Sequence, residues 1–242
     1  QQYTRTNSWD GRFRLEWRPD SVWNIMFRPN IQVSKNDGQT VSTSATYSAN
    51  PYETVADPLS AAAIAQLKAK GLMVNSQQNT TITYGDNTSL GAMLQVNRRL
   101  GKKGQNVTLR MDGDYTDADS RTFSTQDLQY FQLRDALGND STYRAYRFNL
   151  MPTKSRDYAV QATYSEPIAR KTYLQFSYQF KYGLSKSTRD TYDFSALPAA
   201  TFSGVHPAYR SWNSYLGLLA QPVDSYLDGS LSRYSEYRTY TP

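Results

Sequence analysis

The side chains best suited to chemistry in this sequence form one acidic run, Asp112-Gly113-Asp114-Tyr115-Thr116-Asp117-Ala118-Asp119, the only carboxylate cluster in the chain. Oxygen-rich clusters can hold calcium, yet this spacing fits no EF-hand loop, and the expectation is a structural or solvated role. There is no cysteine and a single histidine, His206. Thiolate zinc sites, cysteine nucleophiles, His-rich metal centres and paired-histidine mechanisms are therefore excluded. The sequence contains no phosphate-binding Gly loop, Ser-His-Asp set or basic nucleic-acid motif. These residues point away from an enzyme, away from a metal or cofactor, and away from nucleic acid as a partner.

Binding chemistry is better represented, in the aromatics. The chain carries 20 Tyr, 9 Phe and 4 Trp in 242 residues, with a net charge of +6. Two segments, 123–148 and 192–215, place rings among polar residues. Such rings can stack on sugar or peptide ligands, or pack loops against one another. The ligand-contact candidates are Tyr130, Phe131, Tyr143, Tyr146, Tyr209 and Trp212. His206, beside Pro207, is a weaker candidate. Arg12, Arg14, Arg28, Arg110 and Lys181 can pair with Glu16 and the aspartates, or tune selectivity for anionic solutes.

The elements that must position these groups are strands. Apolar and polar residues alternate with period two in six segments, as a strand with one wet face requires. Phe13, Leu15 and Trp17 oppose Arg12, Arg14 and Glu16. Trp23, Ile25, Phe27, Ile31 and Val33 oppose Asn24, Arg28, Asn30 and Gln32. Leu90, Ala92, Leu94 and Val96 oppose Gln95 and Asn97, and Val107, Leu109 and Met111 oppose Thr108, Arg110 and Asp112. Tyr158, Val160 and Ala162 oppose Gln161 and Thr163, and the clearest run sets Leu174, Phe176, Tyr178, Phe180, Tyr182 and Leu184 against Gln175, Ser177, Gln179 and Lys181. Pro29 falls inside the second strand, where it cannot donate to a ladder, so a bulge or break is expected there.

The connections alternate in length. Turns at 18–21, 101–105 and 166–171 have tight-turn chemistry. Between them the chain runs through 35–88, 117–156 and 186–242, read as long polar loops. Short turns are thus expected on one edge and large loops on the other. The first loop holds the one expected helix, over 58–70, with Asp57 as cap, Pro58 at its first position and Gly71 as its stop.

No window reaches the ~18 apolar residues of a membrane helix. The strand pattern suits either a soluble sandwich with its apolar face inward or a membrane barrel with that face outward. Three features favour the barrel: segments near the ~10 residues that cross a bilayer at a tilt, a wet face rich in Arg, Asp, Gln and Asn, and Tyr and Trp crowding the strand ends. The short-turn, long-loop alternation is a fourth. The lipid-facing candidates are Phe13, Leu15, Trp17, Trp23, Ile25, Phe27, Leu94, Val96, Leu109, Val160, Leu174, Phe176, Tyr178 and Phe180.

The runs Phe13-Arg14-Leu15-Glu16-Trp17-Arg18-Pro19-Asp20-Ser21, Asn97-Arg98-Arg99-Leu100-Gly101-Lys102-Lys103-Gly104 and Tyr164-Ser165-Glu166-Pro167, with Tyr173-Leu174-Gln175-Phe176-Ser177-Tyr178, resemble the barrel of a TonB-dependent-receptor-like outer membrane protein of Bacteroidota. The likeness spans almost the whole chain. It implies an antiparallel transmembrane β-barrel in the bacterial outer membrane, nutrient uptake through a receptor or transporter, and lipid as a neighbour. An energy-transducing TonB-type protein and a surface lipoprotein are the partners it implies. About six strands fall short of the ~8 of the smallest closed barrels. The chain is therefore expected to be a single mid-barrel segment over residues 1–242, without plug or remaining strands, whose sheet has the strands near 12–17 and 172–184 as its edges unless the loop segments add strands or other sequence supplies neighbours. The alternative expectation is a secreted or surface-exposed β-sandwich that binds glycans through its loop aromatics.

Overall fold

The computed structural model describes residues 1–101, 103–169, 172–202 and 214–242. Strands β1 (Gln2–Arg12), β2 (Leu15–Trp17), β3 (Trp23–Tyr47), β4 (Met73–Leu100), β5 (Gln105–Arg134), β6 (Asp140–Ala169), β7 (Thr172–Asp193) and β8 (Arg233–Thr241) form one eight-stranded sheet. Its order is β1-β3-β4-β5-β6-β7-β8, with β2 beside β1 on the same flank of β3. Every pairing is antiparallel. β1 and β8 do not pair, so the sheet is open.

Three expectations from the sequence are corrected here. The sheet has eight strands, not about six. The supposed loops are largely strand: β3 runs on to Tyr47, β4 begins at Met73, and β5 and β6 are 30 residues each, joined by a tight turn at 135–139. At about 3.3 Å per residue these two strands are about 100 Å long. The edge opposite β1 is β8, which covers β7 from Lys181 to Arg189. On that side the outer edge is therefore β8, together with the stretch of β7 before Lys181 that β8 leaves uncovered.

The extensions are strands for a different reason from the first segments. Their residues are Thr, Ser, Asn and Gln, and β-branched threonines meet directly across strands at Thr40↔Thr81 and Thr80↔Thr125. Such pairs favour extended backbone without needing one apolar face.

Proline at position 29 acts on its neighbour. β3 continues through Pro29, which sits opposite Ala92 of β4. On its other side, the register would place Phe13 opposite Pro29, and there the edge breaks into β1 and β2. Phe13 N–H still donates to Pro29 O at 3.1 Å, but the return bond lacks a donor. The proline is tolerated because the missing N–H faces the sheet's edge.

The turns at 18–22, 101–104 and after Pro167 lie at one end of the sheet. Arg99 N–H donates to Val22 O at 2.8 Å, and Gln105 Nε2 donates to Glu166 Oε1 at 3.1 Å, tying successive turns together. Asp20 accepts from the N–H groups of Val22 and Trp23, and Gly101 and Gly104 supply φ of +69° and +93°. Lys102, Arg170 and Lys171 of these turns lie outside the described residues.

Helix α1 (Ala61–Ala69) lies at the other end. It is shorter than expected and capped by Ser60, whose hydroxyl accepts from Ala63 N–H at 3.3 Å. Asp57 instead caps the turn before it, accepting from Leu59 N–H. The stop at Gly71 is as expected: φ is +68°, Gly71 N–H donates to Lys68 O and Leu72 N–H to Leu67 O, the paired bonds of a Schellman motif. Leu67 and Met73 are fully buried where the helix meets β4.

Candidate functional site

Residues directly opposite in an antiparallel pair point to the same face, so the register sorts the side chains into two faces. One face carries, in order from the turn end, an apolar band, a charged belt and an aromatic core. The other is mostly polar, with Met26, Met93, Leu128 and Met151 among its few apolar residues.

The band contains Trp23, Ile25, Phe27, Pro29, Ile31 and Val33 on β3, with Leu15 and Trp17 of β2 and Trp9 of β1 beside them. Leu90, Ala92, Leu94 and Val96 of β4 follow, then Val107, Leu109, Met111 and Tyr115 of β5. Tyr158, Val160, Ala162 and Tyr164 of β6 and Leu174 to Leu184 on β7 complete it. No charged side chain interrupts this face between Arg98 and Asp86 on β4, or between Glu166 and Arg156 on β6. On β7 the stretch from Leu174 to Leu184 is likewise uncharged on this face and ends at Lys186. The side chains are uncovered: Trp9 is 81% exposed, Leu15 63% and Phe176 60%. Aromatics frame both margins. Trp23 lies under Arg98 at 4.8 Å near the turns, and Tyr158, Tyr182 and Tyr240 form a row of rings 4.8 and 5.1 Å apart at the far side.

Beyond the band stands the belt. Lys35 pairs with Asp86 at 3.5 Å, Lys154 with Asp117 at 3.4 Å and Lys186 with Glu236 at 3.3 Å, while Arg121 pairs with Asp119. The first charge falls earlier along the register on β6 and β8, at Arg156 and Arg238, than on β3 and β4.

Past the belt, Ile82, Phe123, Tyr146, Phe148 and Tyr192 continue the same face and are covered by Phe194, Phe202 and Tyr215 from the segment after β7. Phe123 stacks on Tyr215 with centroids 4.2 Å apart and meets Phe202 edge-on at 5.3 Å. Tyr146 donates to both oxygens of Asp127 at 2.7 Å, and burial followed by that carboxylate pushes its hydroxyl up to about 12.

The four ligand-contact candidates among the described residues do not share one site. Tyr146 is buried in the aromatic core. Phe131 is half-buried beneath Lys68, 5.1 Å from its ring. Tyr130 and Tyr143 lie on the polar face, opposite Ser141 and Leu128, and Tyr143 is exposed. Tyr209 and Trp212 lie outside the described residues, as does His206. A shallow groove instead runs along Ser76, Gln78, Asp127, Gln129, Thr142 and Arg144 at the helix end.

Strand alternation divides the acidic run. Asp112 and Asp114 occupy the polar face, whereas Asp117 and Asp119 turn to the belt. Among the described residues no three such groups are placed to hold a metal ion. On the polar face Arg110 grips Asp112 through two nitrogens, Arg14 and Arg18 share Glu16, and Arg12 holds Asp10. Asp114 stands opposite Asp157. Their carboxylates lean over Gly91 and Gly183, where a Cβ would come within 2.6 and 2.5 Å of them.

The aromatic core was detectable in principle. Phe123 has the parity of Val107 and Leu109, Phe148 that of Val160, and Tyr192 that of Leu174, so each continues the apolar face of its strand after a charged interval. No protein-family model matches the chain, and neither does any curated protein.

Proposed function

We propose that the chain is part of an outer-membrane β-barrel receptor or transporter for nutrient uptake, with its helix-end segments contributing to ligand binding. The observation that carries this reading is the apolar band. It is charge-free over about the ten residues a tilted strand needs to cross a bilayer, framed by aromatics at both margins, and exposed. A folded chain leaves so large an apolar surface bare only where something other than water meets it. The open sheet supports the same reading, because unpaired edges at bilayer depth require further strands. In this account the polar face lines a water-filled interior and the open edges at β1 and β8 are completed by other barrel strands. The resemblance adds an energy-transducing TonB-type protein and a surface lipoprotein as partners.

A soluble sandwich would need a second layer over the band, and the described residues place their cover elsewhere, on the aromatic core. Extraction tests the choice. The complete protein should leave cells only with detergent and enter lipid vesicles with its strands protected from protease; a protein that stays monomeric in buffer alone would reject the membrane reading.

A further inference from the structure

Three cations surround one apolar side chain where the band ends. Arg156 of β6 and Arg238 of β8 both lie opposite Leu184 of β7, one on each side, and Lys186 is the next residue on that face of β7. Strand spacing puts the Arg156 and Arg238 backbones about 10 Å apart. Arg156 lies over Tyr115, 5.7 Å from its ring, and makes no ion pair among the described residues. Glu236 is shared by Arg238 and Lys186, at 2.5 and 3.3 Å, which fixes both cations beside Leu184 and leaves the group with a net positive charge. Below Leu184 the face continues through Tyr182, Phe180, Tyr178 and Phe176 with no charge.

We propose that Arg156, Arg238 and Lys186 form a seat for the phosphate of a lipid headgroup at the helix-end margin of the membrane, with the acyl chains lying along Tyr182, Phe180 and Phe176. The inference rests on the membrane reading above. Charge complementarity selects the occupant: cations on β6, β7 and β8 flank Leu184 at the end of an uncharged apolar face, so an anionic head and an apolar tail are met side by side. A free phosphate would use the cations and leave the band bare.

The test uses the complete protein in detergent, presented with phosphatidic acid or phosphatidylcholine of the same acyl chains, with retained lipid counted by native mass spectrometry. Phosphatidic acid should be retained in preference. The double variant Arg156→Gln/Arg238→Gln should reduce that preference roughly thirtyfold, the Arg156→Lys/Arg238→Lys variant should keep most of it, and Lys181→Gln on the polar face should leave it unchanged. Equal retention of both lipids, an undiminished preference in the glutamine variant, or displacement of the lipid by equimolar inorganic phosphate would overturn the inference while leaving the barrel reading intact. A protein that takes up neither lipid and needs no detergent would overturn both.

Discussion

Asp140 accepts a hydrogen bond from Lys68 Nζ at 2.6 Å, and through that contact helix α1 is joined to the β5–β6 hairpin. The same carboxylate pairs with Arg134 and accepts from Gln129 at 3.4 Å, and only 7% of its side chain is exposed. Lys68 in turn covers Phe131. One acidic side chain thus fastens two connections that are far apart in sequence.

Breaking this contact should loosen the helix before it disturbs the sheet. The hydrogen bond from Lys68 holds the Asp140 carboxyl below the usual aspartate range. Its contribution is therefore complete above the unfolded value of ~3.9 and disappears as pH falls through the lower folded value. Asp140→Asn should raise amide exchange across Ala63–Leu67 severalfold at neutral pH, and acidification should do the same to the unaltered protein. Identical exchange in both proteins would mean that Leu67 and Met73 alone hold the helix.

Phe123→Ala tests the aromatic core. Phe123 is 2% exposed and meets Phe194, Phe202 and Tyr215. Truncating a buried phenylalanine costs about 3–5 kcal/mol, and here the loss should fall on the covering segment. Limited proteolysis should open the chain between Phe194 and Tyr226 in the variant, with the band strands still protected.

Tyr146 should ionise late. Its hydroxyl is pushed up to about 12 by burial and by Asp127. Because the folded value lies above the unfolded ~10, the stabilisation is full below pH 10 and is lost as pH rises through the folded value. Ultraviolet titration of the folded protein should show Tyr146→Phe removing one late-titrating tyrosine; loss from the main population near 10 would contradict its placement.

The two faces of the sheet should answer differently to charge. Phe176→Arg should cost roughly 2–4 kcal/mol in a bilayer, and Gln179→Arg close to nothing. Urea unfolding in vesicles measures the difference, and equal costs would remove the distinction between the faces.

What could be read from the sequence was whatever one apolar face makes periodic. Leu174 to Leu184 and Trp23 to Val33 announced their strands because every second residue was apolar, and Asp20, Gly101 and Gly104 announced their turns. The strand extensions were hidden because Gln39–Thr46 and Ser76–Thr81 are polar on both faces apart from Val41 and Ala45, which leaves too little period to detect. β8 was hidden for a related reason: Tyr234, Tyr237 and Tyr240 are spaced by three, so its rings straddle both faces. How the described aromatic candidates divide between the faces was hidden because composition shows rings among polar residues but not parity. Tyr146, which shares its face with Phe148, turned inward, and Tyr143 turned to the polar side.

The central claim is that the face bearing Phe176 meets lipid and the face bearing Gln179 meets water. The chain has no cysteine, so a single cysteine at either position accepts one fluorophore without background. In vesicles carrying a quencher at mid-bilayer depth, the probe at 176 should be strongly quenched and the probe at 179 should respond to an aqueous quencher instead. Quenching from the bilayer at 179 but not at 176, or at neither position, would contradict the account.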